Sequence, residues 1–342
     1  MNTNLMFYSS VSDKSLFQTQ KFYQIDIDIL KQMGYNVILS NSIWDAFKFW
    51  KYKVVFAYFF RYSFLFALIA KIFGRDTYIT GGIDALDKEY VGEKAYKEQR
   101  ILFRLCYAVA KKCIIVSKTD LLHVEEIVKD NRKKIVYSEH TINTDVYAFT
   151  DYERKDRDFC TIGWMGSEEN VKRKGIDKAI LLFSKLKKYP EFIESKFFIL
   201  GRKGVGTPML ESLIEKLDLQ KDVIITGEVT EEEKVNKLKS VKYYFQLSHY
   251  EGFGVAALEA LVAGDVLIHS GKGGLGNPIY ANHVLVDLNK DINAQACEVY
   301  KKLMSIDVND LSRNANECCT FYDNKRRLED FKSIMGSALC HC

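Results

Sequence analysis

The stretch YYFQLSHYEGFGVAALEALVAGDVLIHS, residues 243–270, decides the fold. YYFQLS is an apolar run of strand length, and the loop HYEGFG follows it. A helix is expected from Val255 to Ala263, with Gly264 as its terminator. DVLIHS then opens a second strand, so the segment reads as strand, helix and strand, the repeating unit of a parallel sheet. Glu259 lies about one turn inside that helix, among Ala256, Ala257, Leu258, Ala260, Leu261 and Val262. A carboxylate there either faces solvent or meets a polar partner, because an unpaired buried charge is neutralised or lost.

The same alternation extends in both directions. Upstream lie MFYSS (6–10), NVILS (36–40), VVFAYFF (54–60), TYIT (77–80), CIIVS (113–117) and KIVYS (134–138), with helical stretches such as 18–33 and 93–112 between them. The pattern restarts after the charged run DYERKDRD (151–158), read as a linker, with FCTIGWM (159–165), KFFILG (196–201) and DVIITG (222–227). The fold class is α/β, with two Rossmann-like doubly wound domains facing a cleft. Their bounds are 1–150 and 151–342. A chain of 342 residues suits two domains of about 150 residues each.

Composition narrows the function. Hydrophobic residues are 47% and charged residues 27%, which is globular and not disordered. Residues 1–150 carry 21 Lys and Arg against 16 Asp and Glu, and the rest of the chain 28 against 29. A mildly basic first domain suits an anionic acceptor or membrane surface, or simply a solvated exterior. Nucleic acid is not an expected partner, since the basic residues are scattered rather than clustered with aromatics. Eight cysteines without a CxxC pair read as reduced thiols of a cytoplasmic protein. VVFAYFFRYSFLFALIAKIF (54–73) is broken by Arg61 and Lys71 and reads as a strand and a helix rather than a membrane span. Peripheral attachment of the first domain through aromatic and basic side chains stays open.

Two metal readings are set aside. Asp26 and Asp28 form D-x-D inside the helical stretch QKFYQIDIDILKQMG, where they diverge. The terminal Cys340, His341 and Cys342 read as a frayed tail rather than a zinc grip. His140 and His249 read as structural hydrogen-bonding groups. No metal or other cofactor is expected.

The chemistry gathers at the loops after strands. Gly252 and Gly254 keep the HYEGFG turn slim, letting an anion approach the amides of Phe253, Gly254 and Val255 at a helix N-terminus. Glu251 sits at its mouth. A carboxylate at Glu259 suits paired hydroxyls such as a ribose diol, or a salt bridge. GKGGLGNP (271–278) follows the next strand, and its amides form either a phosphate nest or a tight turn.

Glu251 and Glu259 in EGFGVAALEALVAGDVLIHSGKGGLGN resemble the E-x7-E region of retaining GT-B glycosyltransferases of family 4. RKGID (173–177), FFILGRKGVG (197–206) and IITGEV (224–229) resemble further parts of that pattern, as do SKTDLLHVEEI and TINTDVYAF at the end of the first half. The resemblance implies a metal-independent, hexosyl-type transfer from a nucleoside diphosphate sugar, UDP or GDP, to a hydroxyl acceptor. It implies a glycan or lipid-linked acceptor in bacterial polysaccharide synthesis, with the first domain binding it and the last helix able to return to that domain. Glu251 would hold the transferred sugar and Glu259 the ribose, while Lys174 would neutralise the departing diphosphate. Gly273 and Gly274 would add amides for the phosphates, and Gly201, Arg202 and Lys203 with Gly227, Glu228 and Val229 would flank base and ribose.

Two departures stand out. The family's arginine after the first glycine of the second domain is absent, because Trp164 and Met165 follow Gly163, so Arg173 or Lys172 would supply the charge. In the first domain TGGIDAL (80–86) offers Gly82 and Asp84, with Asp84 orienting a hydroxyl or capping a helix. A nucleotide-sugar-binding protein without transfer activity and a nucleotide-sugar epimerase are the rival readings.

Overall fold

The apolar runs become strands because parallel sheets are covered on both faces and so demand near-continuous hydrophobic sequence. The computed structural model describes residues 3–129, 132–147 and 149–336, apart from the side chains of Asp84, Glu89, Tyr90 and Arg154. Cys340, His341 and Cys342 lie outside the described residues. The chain divides into two units, one of residues 1–142 with 322–342 and one of residues 143–321.

The first unit contains β1 (Asn4–Tyr8), β2 (Asn36–Ser40), β3 (Val54–Tyr58), β4 (Asp76–Thr80), β5 (Lys112–Ile115) and β6 (Ile135–Tyr137), in the order β2-β1-β3-β4-β5-β6. All pairs are parallel. Alternation along the strands feeds two cores. Leu5, Phe7, Val54 and Phe56 pack with Ile27, Leu30 and Phe331. Met6, Tyr8, Val55 and Ala57 pack with Phe66, Ala67 and Phe103. Residues 54–73 form β3 and the helix Ser63–Ile72, and no helix among the described residues is long and apolar enough to cross a membrane.

The helix Asn324–Met335 lies in this unit against the helix Lys21–Gln32. Asp26 explains the pairing. It is fully buried, and Arg327 grips it with Nε to Oδ1 at 2.6 Å and Nη2 to Oδ2 at 2.8 Å. Arg327 Nη1 also donates to the carbonyls of Ser138 and Glu139 at 2.8 Å each. Asp28 instead points to solvent beside Lys31. The D-x-D is thus half core and half surface, and no group of three candidate metal ligands occurs among the described residues.

The second unit contains β7 (Asp156–Ile162), β8 (Phe197–Leu200), β9 (Val223–Gly227), β10 (Val241–Gln246), β11 (Val266–His269) and β12 (Val284–Leu285). Their order is β12-β11-β10-β7-β8-β9, again all parallel. β12 escaped the sequence pattern because it is only 2 residues long. The run 151–158 is not a linker but part of this unit, and it opens β7. Tyr152 is buried, and Lys155 is fully buried against Asp265 and the carbonyl of Leu238. Charge alone misled there, because the partner lies 110 residues away.

Candidate active site

The order of the second sheet locates a site. The chain lays down β7, β8 and β9 outward, then returns to place β10 on the other side of β7. Ligands of open α/β sheets settle beyond the carboxyl ends of the strands at such a reversal. The loops that begin at Gly163 and Leu247 follow β7 and β10, and both lead directly into helices.

After β7, Ser167 caps the helix Glu168–Lys174 by accepting the Asn170 N–H at 3.1 Å. Glu168 and Glu169 occupy its first turn and Lys172, Arg173 and Lys174 its last, each sign matched to the helix dipole. RKGID is therefore a helix end rather than a solvated basic turn. Gly175 stops the helix at φ 65°, and a Cβ there would lie 2.0 Å from the Leu247 carbonyl oxygen. That close approach docks the helix end on the loop after β10. His249 N–H donates to the Arg173 carbonyl at 2.9 Å, and Ser248 Oγ lies 3.3 Å from the Lys174 carbonyl oxygen.

Glu251 sits in this junction, 7% exposed. Its Oε1 accepts from Lys174 Nζ at 2.6 Å, Ser248 Oγ at 2.6 Å and Gln246 Nε2 at 2.9 Å. All three fall on Oε1, and no hydrogen bond from a described residue reaches Oε2. Burial raises the carboxyl pKa, but Lys174, the Ser248 hydroxyl and Arg173 together outweigh it and hold it below its ordinary value. The result is a fixed carboxylate. Gln246 is itself oriented, since Tyr244 Oη donates to its Oε1 at 3.1 Å while accepting the Ile162 N–H at 3.2 Å. Sequence reading missed Tyr244, Gln246 and Ser248. Their position at the end of β10, beside the motif glutamate, was the available signal.

The helix Val255–Ala263 runs as expected and ends at Gly264 in the left-handed region. Glu259 is buried and salt-bridged: Lys234 Nζ, from the helix Glu231–Ser240, lies 2.9 Å from both Oε1 and Oε2. Lys234 also approaches Glu231 at 3.2 Å, and Tyr147 Oη donates to Glu231 Oε1 at 2.7 Å. Burial, and then the charge of Glu259, push the Tyr147 pKa far up, so this phenol stays protonated. Lys234 and Tyr147 were not legible as partners.

The glycine-rich loop is tied to the same turn. Gly273 pairs with Glu251 in an isolated parallel bridge, and at φ 63° a Cβ on it would lie 2.2 Å from the Glu251 carbonyl oxygen. The Gly274 N–H donates to that carbonyl at 2.6 Å. This corrects the expectation for Gly274, whose amide already holds the Glu251 turn and is not a spare donor for phosphate. Phe253 is buried, Gly252 half-buried, and Gly254 and Val255 open the helix.

Further loops converge. Gly201 N–H donates to the Gly227 carbonyl at 2.9 Å, which brings Gly201, Arg202 and Lys203 beside Gly227, Glu228 and Val229. Arg202 and Glu228 are exposed. The Arg202 carbonyl accepts from the Met165 N–H at 3.0 Å. Met165 is core, whereas Trp164 is 59% exposed. An open cavity of about 340 Å³ is lined by Trp164, Gly166, Ser167, Glu169, Asn170 and Arg173. Asn170 links its walls, donating to the Trp164 carbonyl and accepting from Arg173 Nη2. Of Arg173 and Lys172, Arg173 is the one whose charge is felt at Glu251, while Lys172 is exposed.

Gly82 and Asp84 belong to the first unit. Gly82 follows β4, the next N–H, of Ile83, donates to Asp120 Oδ2 at 3.0 Å, and the Asp84 side chain lies outside the described part. His140, also in that unit, is buried, and burial, then the charge of Arg327, lowers its pKa to about 3.

Comparison with known proteins meets this geometry. Residues 167–315 match the family model described as Glycosyl transferases group 1, a span that includes Lys174, Glu251 and Glu259. No curated protein gives a significant match. Among solved structures, the chain is similar to sucrose-phosphate synthase from Thermosynechococcus elongatus, with TM-score 0.76 and 14% identity, covering 99% of this chain and 100% of that one. It is similar to Anabaena HepE in complex with UDP and glucose, at TM-score 0.73 and 12% identity over 98% and 100% of the two chains. WaaG, a glycosyltransferase involved in lipopolysaccharide biosynthesis, gives TM-score 0.69 and 12% identity over 97% and 99%. The fold is that of the GT-B glycosyltransferases. The group 1 domain and this fold together support a glycosyltransferase.

Proposed function

We propose that the chain is a retaining, family 4 glycosyltransferase that moves a hexose from a nucleoside diphosphate sugar to a hydroxyl of a glycan or lipid-linked acceptor, without a metal. The observation that carries this reading is the Glu251 carboxylate, fixed through Oε1 by Lys174, Ser248 and Gln246 at the reversal of the second sheet. Its Oε2 remains to accept a sugar hydroxyl. Breaking the bond between sugar and diphosphate builds negative charge on the leaving oxygen, and preplaced cations stabilise that charge. Lys174 directs one of its three N–H bonds to Glu251, leaving two for phosphate. Arg173 stands in for the arginine that Trp164 and Met165 displace, and the amides of Gly252, Phe253, Gly254, Val255 and Gly273 face the diphosphate. Glu259 meets the ribose diol beside Lys234, and the paired loops at Gly201 and Gly227 flank base and ribose.

HepE binds UDP, which supports UDP over GDP in the donor. The role of WaaG in lipopolysaccharide biosynthesis supports a bacterial polysaccharide pathway, where a lipid-linked acceptor is met at a membrane surface. The test is release of nucleoside diphosphate from UDP and GDP sugars, with and without acceptors, in wild type and Glu251→Ala. Acceptor-dependent release that Glu251→Ala abolishes is expected. The exposed Trp164 at the place of an arginine favours one rival, a binding protein without transfer activity. That rival wins if nucleotides bind and no donor is turned over. Sugar interconversion without acceptor would instead mark an epimerase.

A further inference from the structure

We infer that one face of the first unit is a docking surface for an anionic lipid bilayer. The short helical turn Ile43–Phe47, Phe49 of the next turn, the helix Ser63–Ile72 and the helical segment Lys88–Val109, kinked at Gly92, share one core on one side of the first sheet. A helix on a water-exposed face ordinarily turns polar residues outward. Here Ser63–Ile72 buries Phe66, Ala67 and Ala70 and still exposes Leu65 at 46% and Ile72 at 71%. Beside it Trp44 is 71% and Trp50 68% exposed.

Ring contacts tie parts of this face together. Phe49 stacks on Phe73 with ring centroids 3.9 Å apart and meets Trp50 edge-on at 5.4 Å, so the short turn and the helix end share a continuous apolar edge. Phe47 stacks on Trp44 at 6.1 Å in the turn Ile43–Phe47, which packs on the same helix. A patch of this kind on a soluble surface marks an interaction site.

Charge identifies the occupant. Residues 44–75 carry six basic residues, Lys48, Lys51, Lys53, Arg61, Lys71 and Arg75, against the single acidic Asp45. That net charge of +5 equals the whole excess of residues 1–150. Lys51, Lys53 and Arg61 are exposed. Tryptophan favours the level of lipid headgroups, and each lysine or arginine near an anionic leaflet adds about 1 kcal/mol. Exposed apolar side chains in a segment rich in cations match that interface, which holds a hydrocarbon edge under a layer of negative charge. The surface would bring the first unit to a lipid-linked acceptor, but it stands or falls separately from the transfer chemistry.

The experiment is sedimentation of the full chain with vesicles of phosphatidylcholine alone and of phosphatidylcholine with phosphatidylglycerol. Binding to the anionic vesicles, weakened by salt, is expected. The double variant Lys51→Glu/Lys53→Glu should bind at least about tenfold more weakly, as should Trp44→Ser/Trp50→Ser. Because the chain has three tryptophans, Trp164→Phe leaves Trp44 and Trp50 as its only indoles. Their emission should shift blue on anionic vesicles and be quenched by brominated lipid, a readout independent of the surface variants. Absence of vesicle binding, equal binding to both compositions, or indoles unshifted on bound vesicles would overturn the inference, as would a dimer or protein complex that buries this face. Loss of transfer with vesicle binding intact would count against the proposed activity alone.

Discussion

Lys234 Nζ lies 2.9 Å from each carboxylate oxygen of Glu259, so the buried glutamate of the E-x7-E segment is neutralised by a helix that precedes it in the chain. A ribose diol would join this pair rather than meet a bare carboxylate. Glu259→Gln should weaken UDP binding by about tenfold to a hundredfold, the worth of charged hydrogen bonds. Titration calorimetry reads this directly. Lys234→Met should instead lower stability by about 3 kcal/mol in urea unfolding, because it strands a buried charge.

Glu251→Gln and Lys174→Met separate binding from chemistry. If Glu251 acts on the sugar and Lys174 on the leaving diphosphate, each substitution should reduce kcat by about 100-fold to 1,000-fold. UDP affinity should stay nearly constant in Glu251→Gln and fall in Lys174→Met. Steady-state kinetics on the best donor, paired with UDP titration, checks both. Equal loss of UDP affinity in the two variants would place Glu251 on the nucleotide.

Gly175→Ala tests the junction that carries Lys174. The new Cβ would meet the Leu247 carbonyl oxygen at 2.0 Å from a backbone held at φ 65°. A cost above about 2 kcal/mol in the denaturation midpoint is expected, with turnover lost along with it. Unchanged stability would mean that the helix end can move.

Stability should also fall in mild acid. His283 Nδ1 accepts the Leu267 N–H at 3.0 Å, which requires a neutral ring. Burial, then the neighbouring His269, lower its pKa from 6.5 to about 3, and burial lowers that of His269 to about 4. A histidine depressed in the folded state contributes stability that is present above its unfolded pKa and lost as pH falls toward the folded value. The loss should therefore begin near pH 6.5 and continue toward pH 4, at about 1.4 kcal/mol per pH unit for each such ring. Urea midpoints across that range, compared with His283→Gln, give the measurement.

Arg327→Met should cost about 3 to 5 kcal/mol, since the fully buried Asp26 loses its cation. The double variant Asp26→Leu/Arg327→Met should recover most of that loss, because replacing a buried pair with apolar groups is close to neutral. Thermal unfolding of the three proteins gives the comparison.

Much of the fold was readable because β3, β10 and β11 are buried along their whole length, and such strands must be written in apolar residues. The helix at 255–263 was readable for a different reason: a glycine stop after an apolar run is a local signal. What stayed hidden was pairing at a distance. Glu259 finds Lys234 25 residues upstream, Lys155 finds Asp265 110 residues on, and Asp26 finds Arg327 301 residues on. Nothing local distinguishes those charges from surface ones, so 151–158 looked like a tether. Gly274 misled in the opposite way, since a nest and a tight turn use the same glycines and only the hydrogen bond to Glu251 separates them.

The grip of Arg327 on Asp26 makes the first unit discontinuous in the chain, with residues 143–321 inserted between its two parts. During synthesis the six-stranded sheet at the front can assemble early, yet its keystone guanidinium emerges only after the intervening lobe has been made. Premature termination after the front sheet but before residue 327 would therefore leave the Asp26 carboxylate without its cation, held by the Tyr58 hydroxyl alone of the two side chains that grip it.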